Sequence, residues 1–190
     1  MAFLPVQSIA AAATAFVGQN VGAGKHDRVK RGMILSLAYA IGWCVLIFAL
    51  LYPTRFAAAA FFTDSQGAIQ GAGLMMQCIL PFYSIFAIQY VICCVMRGAG
   101  ESVVPMVTVM FSQVIFRVPA VYLLAHYFGP SHMYYAFGTG WTFGAIIAVI
   151  YFSTGRWKRH GSLATEAPAA APAREVALAP EIAEEQDPLE

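Results

Sequence analysis

The strongest constraint on the fold of this chain is a series of apolar stretches, each long enough to cross a lipid bilayer. A transmembrane helix needs about 20 apolar residues, because each residue adds ~1.5 Å and the hydrocarbon core is ~30 Å thick. Five such stretches lack Asp and Glu: 2–21, 33–52, 74–96, 103–125 and 134–152. The apolar run 56–62 is too short to cross, so it either extends the second helix or lies along the outer interface. The pattern predicts an all-α membrane protein with about five transmembrane helices.

Composition and charge divide the chain into two parts. Apolar residues make up 59% of it and charged residues 11%, whereas soluble domains have about 45–50% and ~25%. Residues 1–160 carry an excess of basic side chains, and residues 161–190 carry an excess of acidic ones among many Ala and Pro. We therefore predict a membrane region at 1–160, in contact with the lipid bilayer, and a disordered cytoplasmic tail at 161–190.

The first apolar stretch, 2–21, is the weakest of the set because Pro5, Gln7 and Ser8 interrupt it. A cleaved signal peptide is the competing interpretation, with the alanine-rich run 10–15 as its cleavage region. No basic residue precedes the apolar part, and another span follows after a short loop. These features favour a membrane span.

The basic residues predict the orientation of the chain in the membrane. If the spans alternate in direction, Arg55 falls in a loop on one side. The other side collects Lys25, Arg28, Lys30, Arg31, Arg97, Arg156, Lys158 and Arg159. The positive-inside rule makes the more basic side cytoplasmic, and it places the carboxy terminus there too.

The glycine-rich basic loop at 18–31 looks like a nucleotide-binding loop, but its spacing is wrong. A P-loop needs a glycine where Gln19 stands and a Ser or Thr where His26 stands. A dinucleotide-binding turn needs a glycine at Asp27 and a preceding strand. The histidines are isolated and the cysteines lie in apolar spans. We therefore expect no enzyme activity, no metal site, no cofactor and no nucleic-acid partner.

Arg117 is the charged residue that stands inside a predicted span. An arginine at that depth costs about 2.5–3.5 kcal/mol on insertion scales, so it should face a bundle interior or a water-filled cavity. Gln113 lies four residues earlier on the same helical face, and Met106 and Met110 continue the stripe. Two roles stay open for Arg117: pairing with a neighbouring helix, or a direct part in moving cargo or ions.

Prolines and small residues indicate how these helices bend and pack. Pro81 and Pro119 lie within spans, where each removes a backbone hydrogen bond and bends the helix. Bent helices around polar side chains are typical of a cavity-forming transporter. The candidate substrate-pathway residues are Arg117, Gln113, Gln89, Tyr83 and Ser84. The last span also carries a packing stripe of small residues, Ala136, Gly140, Gly144 and Ala148.

A set of ordered motifs resembles the multidrug and toxic compound extrusion (MATE) family over residues 1–160. They are Gly18-Gln19-Asn20-Val21-Gly22-Ala23-Gly24-Lys25, Phe62-Thr63-Asp64, Arg97-Gly98-Ala99-Gly100-Glu101-Ser102, Arg117-Val118-Pro119 and Gly155-Arg156-Trp157-Lys158. The resemblance implies a cytoplasmic-membrane antiporter with twelve helices in two six-helix lobes, which exports cationic or amphipathic drugs against sodium ions or protons. It assigns this chain to helices eight to twelve, part of the carboxy-terminal lobe. It makes Gly18, Gln19, Gly22, Gly24, Arg97, Gly98 and Gly100 cytoplasmic loop motifs.

The resemblance also bears on the coupling ion. One branch of the family holds its cation with carboxylates that include an aspartate in the tenth helix, and Phe86 stands about where that aspartate would be. The chain is therefore similar to the branch whose aspartate lies in the amino-terminal lobe, or it has lost coupling. Sodium ions and protons both stay open, with the ion site outside this chain.

Two hypotheses about function follow. In the first, the chain is the carboxy-terminal part of a multidrug/cation antiporter, incomplete without an amino-terminal lobe. In the second, it is a non-transporting membrane module that assembles with itself or with a separately encoded amino-terminal half.

Overall fold

Helices account for the fold throughout the part of the chain that the computed structural model describes, residues 3–157. No strand occurs in that range, which confirms the predicted all-α membrane fold. The α-helices are α1 (Leu4–Gly22), α2 (His26–Ala60), α3 (Gln66–Ile79), α4 (Tyr83–Gly98), α5 (Val103–Met110), α6 (Arg117–Phe128) and α7 (Tyr135–Ser153). The predicted disordered tail, 161–190, lies outside the described residues.

Within the described range, 4 helical segments are long and apolar enough to cross a membrane: His26–Ala60, Gln66–Gly98, Val103–Phe128 and His132–Ser153. Helix α1 has 19 residues but stands outside that set, in keeping with the polar residues that interrupt it. Helix α2 has 35 residues, or ~52 Å of helix. It continues past the predicted end at residue 52 through Pro53 and takes in most of the apolar run 56–62.

Two of the spans contain a change of helix type beside a proline. Between α3 and α4 a 3₁₀ turn, Leu80–Phe82, holds Pro81. Between α5 and α6 a π-helical turn, Phe111–Phe116, precedes Pro119. Pro119 lacks an N–H, and its ring would collide with the carbonyl four residues earlier in a regular helix. The wider π turn leaves room for that ring.

Helix α4 lies at the centre of the fold and contacts α1, α2 and α7. Val91, Val95 and Met96 of α4 are fully buried. The approach to α1 is close: Thr14 Oγ1 donates a hydrogen bond to the Cys94 carbonyl (3.1 Å). A Cβ atom at Gly98 would lie 2.5 Å from the Thr14 carbonyl oxygen. Glycine at 98 therefore sets how near the two helices can come.

Three chain segments that resemble family motifs meet at one end of the helices, because α1, α4 and α7 all end there. Gly24 and Gly100 have φ of 68° and 88°, the left-handed conformation that glycine adopts without strain. The N–H after each glycine bonds back across the helix end: Lys25 to the Asn20 carbonyl (2.8 Å) and Glu101 to the Met96 carbonyl (3.0 Å). Both helices thus close in the same glycine-capped motif.

Candidate functional site: a polar joint and an aromatic cluster

The guanidinium of Arg117 lies between α6 and α7. It donates a hydrogen bond to Gln113 Oε1 (3.2 Å), and its Cζ stands 3.6 Å from the centre of the Phe137 ring. A Cβ atom at Gly140 would lie 3.2 Å from Arg117 Cβ, so the small residue gives Arg117 room beside α7. Arg117 therefore faces a neighbouring helix, with an amide and a ring as its partners.

A second polar contact joins α4 to the π turn. Gln89 and Ser112 are buried, and Gln89 Nε2 donates a hydrogen bond to Ser112 Oγ (3.1 Å). Ser112 Oγ in turn donates to the Val109 carbonyl (3.0 Å). Gly144 makes space for the amide, since a Cβ atom there would overlap Gln89. Gln89 Oε1 is buried and has no hydrogen-bond partner among the described residues.

A run of ring contacts, which we call the aromatic cluster, connects α4 to Arg117. Its members are Phe3, Tyr83, Phe86, Tyr90, Phe137 and Trp141. Ring centres lie 4.7 Å apart for Phe3 and Phe86, and 4.8 Å for Phe86 and Trp141. Trp141 lies 5.9 Å from Phe137, the ring that Arg117 covers. Phe86, at the position where the family resemblance expects an aspartate, is thus at the centre of an aromatic surface.

The methionine stripe predicted to continue the face of Gln113 and Arg117 does not do so. Met106 and Met110 are 54% and 57% exposed, while Arg117 packs against α7. A π turn closes each hydrogen bond one residue later than an α turn, so the faces of α5 and α6 are out of phase. The helical-wheel argument from the sequence failed because it assumed one regular helix across this break.

Of the remaining pathway candidates, Tyr83 joins the aromatic cluster and Ser84 joins neither feature. Tyr83 belongs to the aromatic cluster, with its ring 5.8 Å from Trp141. Ser84 is half-buried in the first turn of α4 and forms no side-chain hydrogen bond with a described residue. The structure therefore brings Arg117 together with Gln113, and Gln89 together with the adjacent Ser112, but leaves Ser84 apart.

The loop-motif residues have structural positions at the end where α1 and α4 finish. Gly18 lies within α1, where a Cβ atom would touch the Gly98 carbonyl oxygen (3.4 Å). Gln19, Gly22 and Arg97 are exposed, and Gly24 and Gly100 form the two caps. Trp157, which follows α7, is 1% exposed and stacks on Phe152 (5.1 Å), so it belongs to the core.

The sequence of this chain matches the MatE family profile over residues 1–123. The chain belongs to the MatE family. It is 26% identical over 172 residues to the probable multidrug resistance protein NorM of Thermotoga maritima, covering 87% of this chain and 36% of NorM. It is 28% identical over 126 residues to the probable multidrug resistance protein YoeA of Bacillus subtilis, covering 65% of this chain and 27% of YoeA. This MatE chain thus spans about a third of the length of its curated relatives.

Four residues of these contacts were not predicted from the sequence: Ser112, Phe3, Phe137 and Trp141. Ser112 had a signal, since it precedes Gln113 in an otherwise apolar span. Phe137 and Trp141 are four residues apart on the face of α7 that also carries the small-residue stripe. Aromatic residues in a membrane span are common, so only their contacts with Arg117 and α4 distinguish them. Among described residues, no group of three or more His, Cys, Asp or Glu is placed to hold a metal ion.

Proposed function

We propose that this MatE chain is the carboxy-terminal part of a multidrug/cation antiporter that exports amphipathic organic cations. The observation that carries the proposal is the aromatic cluster that ends on the Arg117 guanidinium. Aromatic faces attract cations with about 0.5–2 kcal/mol per contact, more where water is excluded. Phe137 already binds a guanidinium in this way (3.6 Å). A cationic cargo reaching the cluster would compete with Arg117 for that ring.

The helix breaks support a moving part beside this surface. The π turn separates α5 from α6 within one span, and π turns are frequent at functional sites. Arg117 is the first residue of α6, directly after the turn. If cargo displaces Arg117 from Phe137, α6 loses a contact with α7 and is free to shift about the turn.

The proposal extends to orientation and coupling. We assign the end that carries Lys25, Arg28, Lys30, Arg31, Arg97 and Arg156 to the cytoplasm, in the inner membrane, because basic loops stay on that side. Fusions of green fluorescent protein and alkaline phosphatase to the carboxy terminus test this assignment. Fluorescence without phosphatase activity is expected, and the reverse would overturn it.

The coupling-ion site belongs, in this proposal, to a part of the transporter outside this chain, since the predicted spans carry no Asp or Glu. Proteoliposomes of a complete transporter that contains this chain, given either a sodium gradient or a pH gradient, identify the ion. Export driven by one gradient alone names the coupling ion. Equal export in the absence of both would refute antiport.

Efflux from drug-sensitive cells tests the main hypothesis. Ethidium accumulation is compared for this chain alone, for this chain joined to the amino-terminal part of Thermotoga NorM, and for an empty vector. We expect only the joined protein to lower accumulation. The antiporter proposal fails if the joined protein inserts into the membrane but its cells accumulate as much ethidium as cells with the empty vector. If the chain alone exports as well, self-assembly is the better explanation.

Matched arginine variants test the site within the joined protein. Arg117→Ala should reduce efflux about tenfold, because cargo binding at Phe137 then no longer displaces a side chain of α6 and so no longer changes the contact between α6 and α7. Arg55→Ala is the control, since Arg55 also lies over aromatic rings (4.7 Å from Phe56) but in α2, away from the cluster. Equal efflux and equal expression for the two variants would contradict the role of Arg117.

A matched pair of phenylalanines tests the ring itself. Phe137→Leu should weaken efflux, because leucine keeps the bulk and loses the aromatic face. Phe143 of α7 stacks on Phe116 outside the aromatic cluster (4.1 Å), so Phe143→Leu should leave efflux close to normal. A larger loss at Phe143 would place the pathway elsewhere.

A further inference from the structure

A groove runs between α1 and α2 on a surface that the aromatic cluster does not touch. Its first hollow, of about 330 Å³, includes Ala12 and Phe16 of α1 with Gly32 and Leu35 of α2. It continues into a second hollow of about 380 Å³ that reaches Leu46, and both share Ile9 and Tyr39. We call this surface the α1–α2 groove.

Two arginines begin the stripe of α2 that lines this groove. Arg28, Gly32, Leu35, Tyr39, Gly42 and Leu46 follow one another in steps of three or four, the spacing of one helical face. Arg31 stands one turn before Leu35 on the same side. Both arginines are exposed, and neither forms an ion pair or side-chain hydrogen bond with a described residue. The helical face of α2 that lines the groove therefore continues, toward the start of α2, into two arginines that no described side chain pairs.

The position of these arginines is not explained by the stability of α2. A helix N-terminus carries partial positive charge, so basic side chains in the first turns destabilise the helix slightly. Asp27 is the acid in the first turn of α2, and it does not pair with either arginine in the described structure. An anion seated between the two arginines would satisfy both of them and the helix end.

The length of the groove suits an acyl chain that starts from a headgroup at the N-terminal end of α2. From Gly32 to Leu46 the helix rises ~21 Å, more than the depth of one leaflet, which is about half of ~30 Å. An acyl chain that follows the two hollows therefore reaches from the headgroup to the middle of the bilayer.

We propose that the α1–α2 groove binds one acyl chain of an anionic phospholipid whose phosphate is held by Arg28 and Arg31. The apolar lining takes the chain, and the two guanidinium groups, which match phosphate oxygens in geometry, take the headgroup. The bound lipid would cover the groove along the outer face of α1 and α2.

Native mass spectrometry of the full chain in neutral detergent tests the proposal, with phosphatidylglycerol and phosphatidylcholine of identical acyl chains as probes. We expect one phosphatidylglycerol to bind in preference to phosphatidylcholine. Arg28→Gln with Arg31→Gln should weaken phosphatidylglycerol binding about thirtyfold, as for two basic side chains near an anionic surface, and leave phosphatidylcholine unchanged. Lys30→Gln with Arg156→Gln, two exposed charges at the same end but off the stripe, should change it less than threefold.

A variant that fills the groove tests whether the acyl chain of the lipid lies there. A Cβ atom at Gly42 would meet nothing within 4 Å, so Gly42→Leu should fold, and it should lower the binding of both lipids. Equal losses from the two charge pairs would mean diffuse surface attraction and overturn the proposal. The proposal is also overturned if Gly42→Leu binds both lipids as the unchanged chain does. A dimer that excludes phosphatidylglycerol would overturn it too, because the groove would then belong to a second copy of the chain.

Discussion

The two interrupted spans of this MatE chain, Gln66–Gly98 and Val103–Phe128, are similar in composition but occupy opposite positions in the fold. Both are apolar, and both change helix type beside a proline. In the most apolar stretch of Gln66–Gly98, 56% of residues are buried within the protein, against 11% for Val103–Phe128. One span is the centre of the bundle, and the other lies at its edge.

This difference shows that apolarity alone does not separate an inner helix from an outer one in a membrane protein. Lipid tails are as apolar as leucine, so helices associate through close packing and polar contacts instead. In the inner span, Gly98 allows close packing against α1, and Gln89 makes a polar contact with Ser112. The outer span makes polar side-chain contacts around the π turn, where Ser112, Gln113 and Arg117 are found.

The largest effect is expected at Gly98, where the inner helix comes closest to α1. In Gly98→Ala the new Cβ would lie 2.5 Å from a backbone oxygen of Thr14, so the two helices must separate. The free energy of unfolding should fall by about 3 kcal/mol. Denaturation in mixed detergent micelles measures it. Gly18→Ala, whose Cβ would meet the Gly98 carbonyl at 3.4 Å, is the control and should cost far less.

A smaller loss is expected at Gly144, where α7 makes room for Gln89. In Gly144→Ala the methyl group meets a side-chain amide, which can move at the expense of its bond to Ser112. We expect a loss of about 2 kcal/mol in the same unfolding assay. Gly71→Ala, on α3, meets nothing within 4 Å and should leave stability unchanged or raise it by up to about 1 kcal/mol, since alanine favours a helix more than glycine does. A neutral Gly144→Ala would show that the contact between Gln89 and Ser112 does not hold the outer span.

The hydrogen bond between the two spans is tested by Ser112→Ala. This change leaves the buried Gln89 amide without its partner and should cost about 1.5 kcal/mol. Adding Gln89→Met removes the orphaned amide and should restore most of the loss. If the double variant is as unstable as the sum of both single variants, the two side chains act independently.

The smallest effects come from valine truncations that compare inner and outer packing directly. Val91→Ala empties fully buried space on α4 and should cost about 1 kcal/mol, whereas Val114→Ala trims a side chain that is 58% exposed and should cost under ~0.5 kcal/mol. Thermal unfolding in detergent resolves the difference. Equal losses would mean that the outer span is packed against protein after all.

The local features of this molecule could be predicted from its sequence, but several of its tertiary contacts could not. The helical class and the close partnership of Gln113 and Arg117 follow from residue spacing, because i and i+4 share a helical face. The glycine caps at 24 and 100 follow a familiar pattern of helix ends. The prediction that Met106 and Met110 share a helical face with Gln113 and Arg117 was wrong. Both methionines are exposed, because a helical wheel does not account for a π turn. Trp157 follows the last span, and its place in the sequence does not indicate that it packs into the core beside Phe152.

The sequence by itself determined that this chain forms long apolar helices, which of their ends carry basic residues, and that its motifs are those of the MatE family. Length, charge and spacing are local properties, so they can be read without knowing which helices touch. Only the tertiary structure decided that α4 is central, that Gln89 meets Ser112, and that the aromatic cluster leads to Arg117. Every span is apolar on most faces, and its partners are selected by where small residues and helix breaks let two backbones approach.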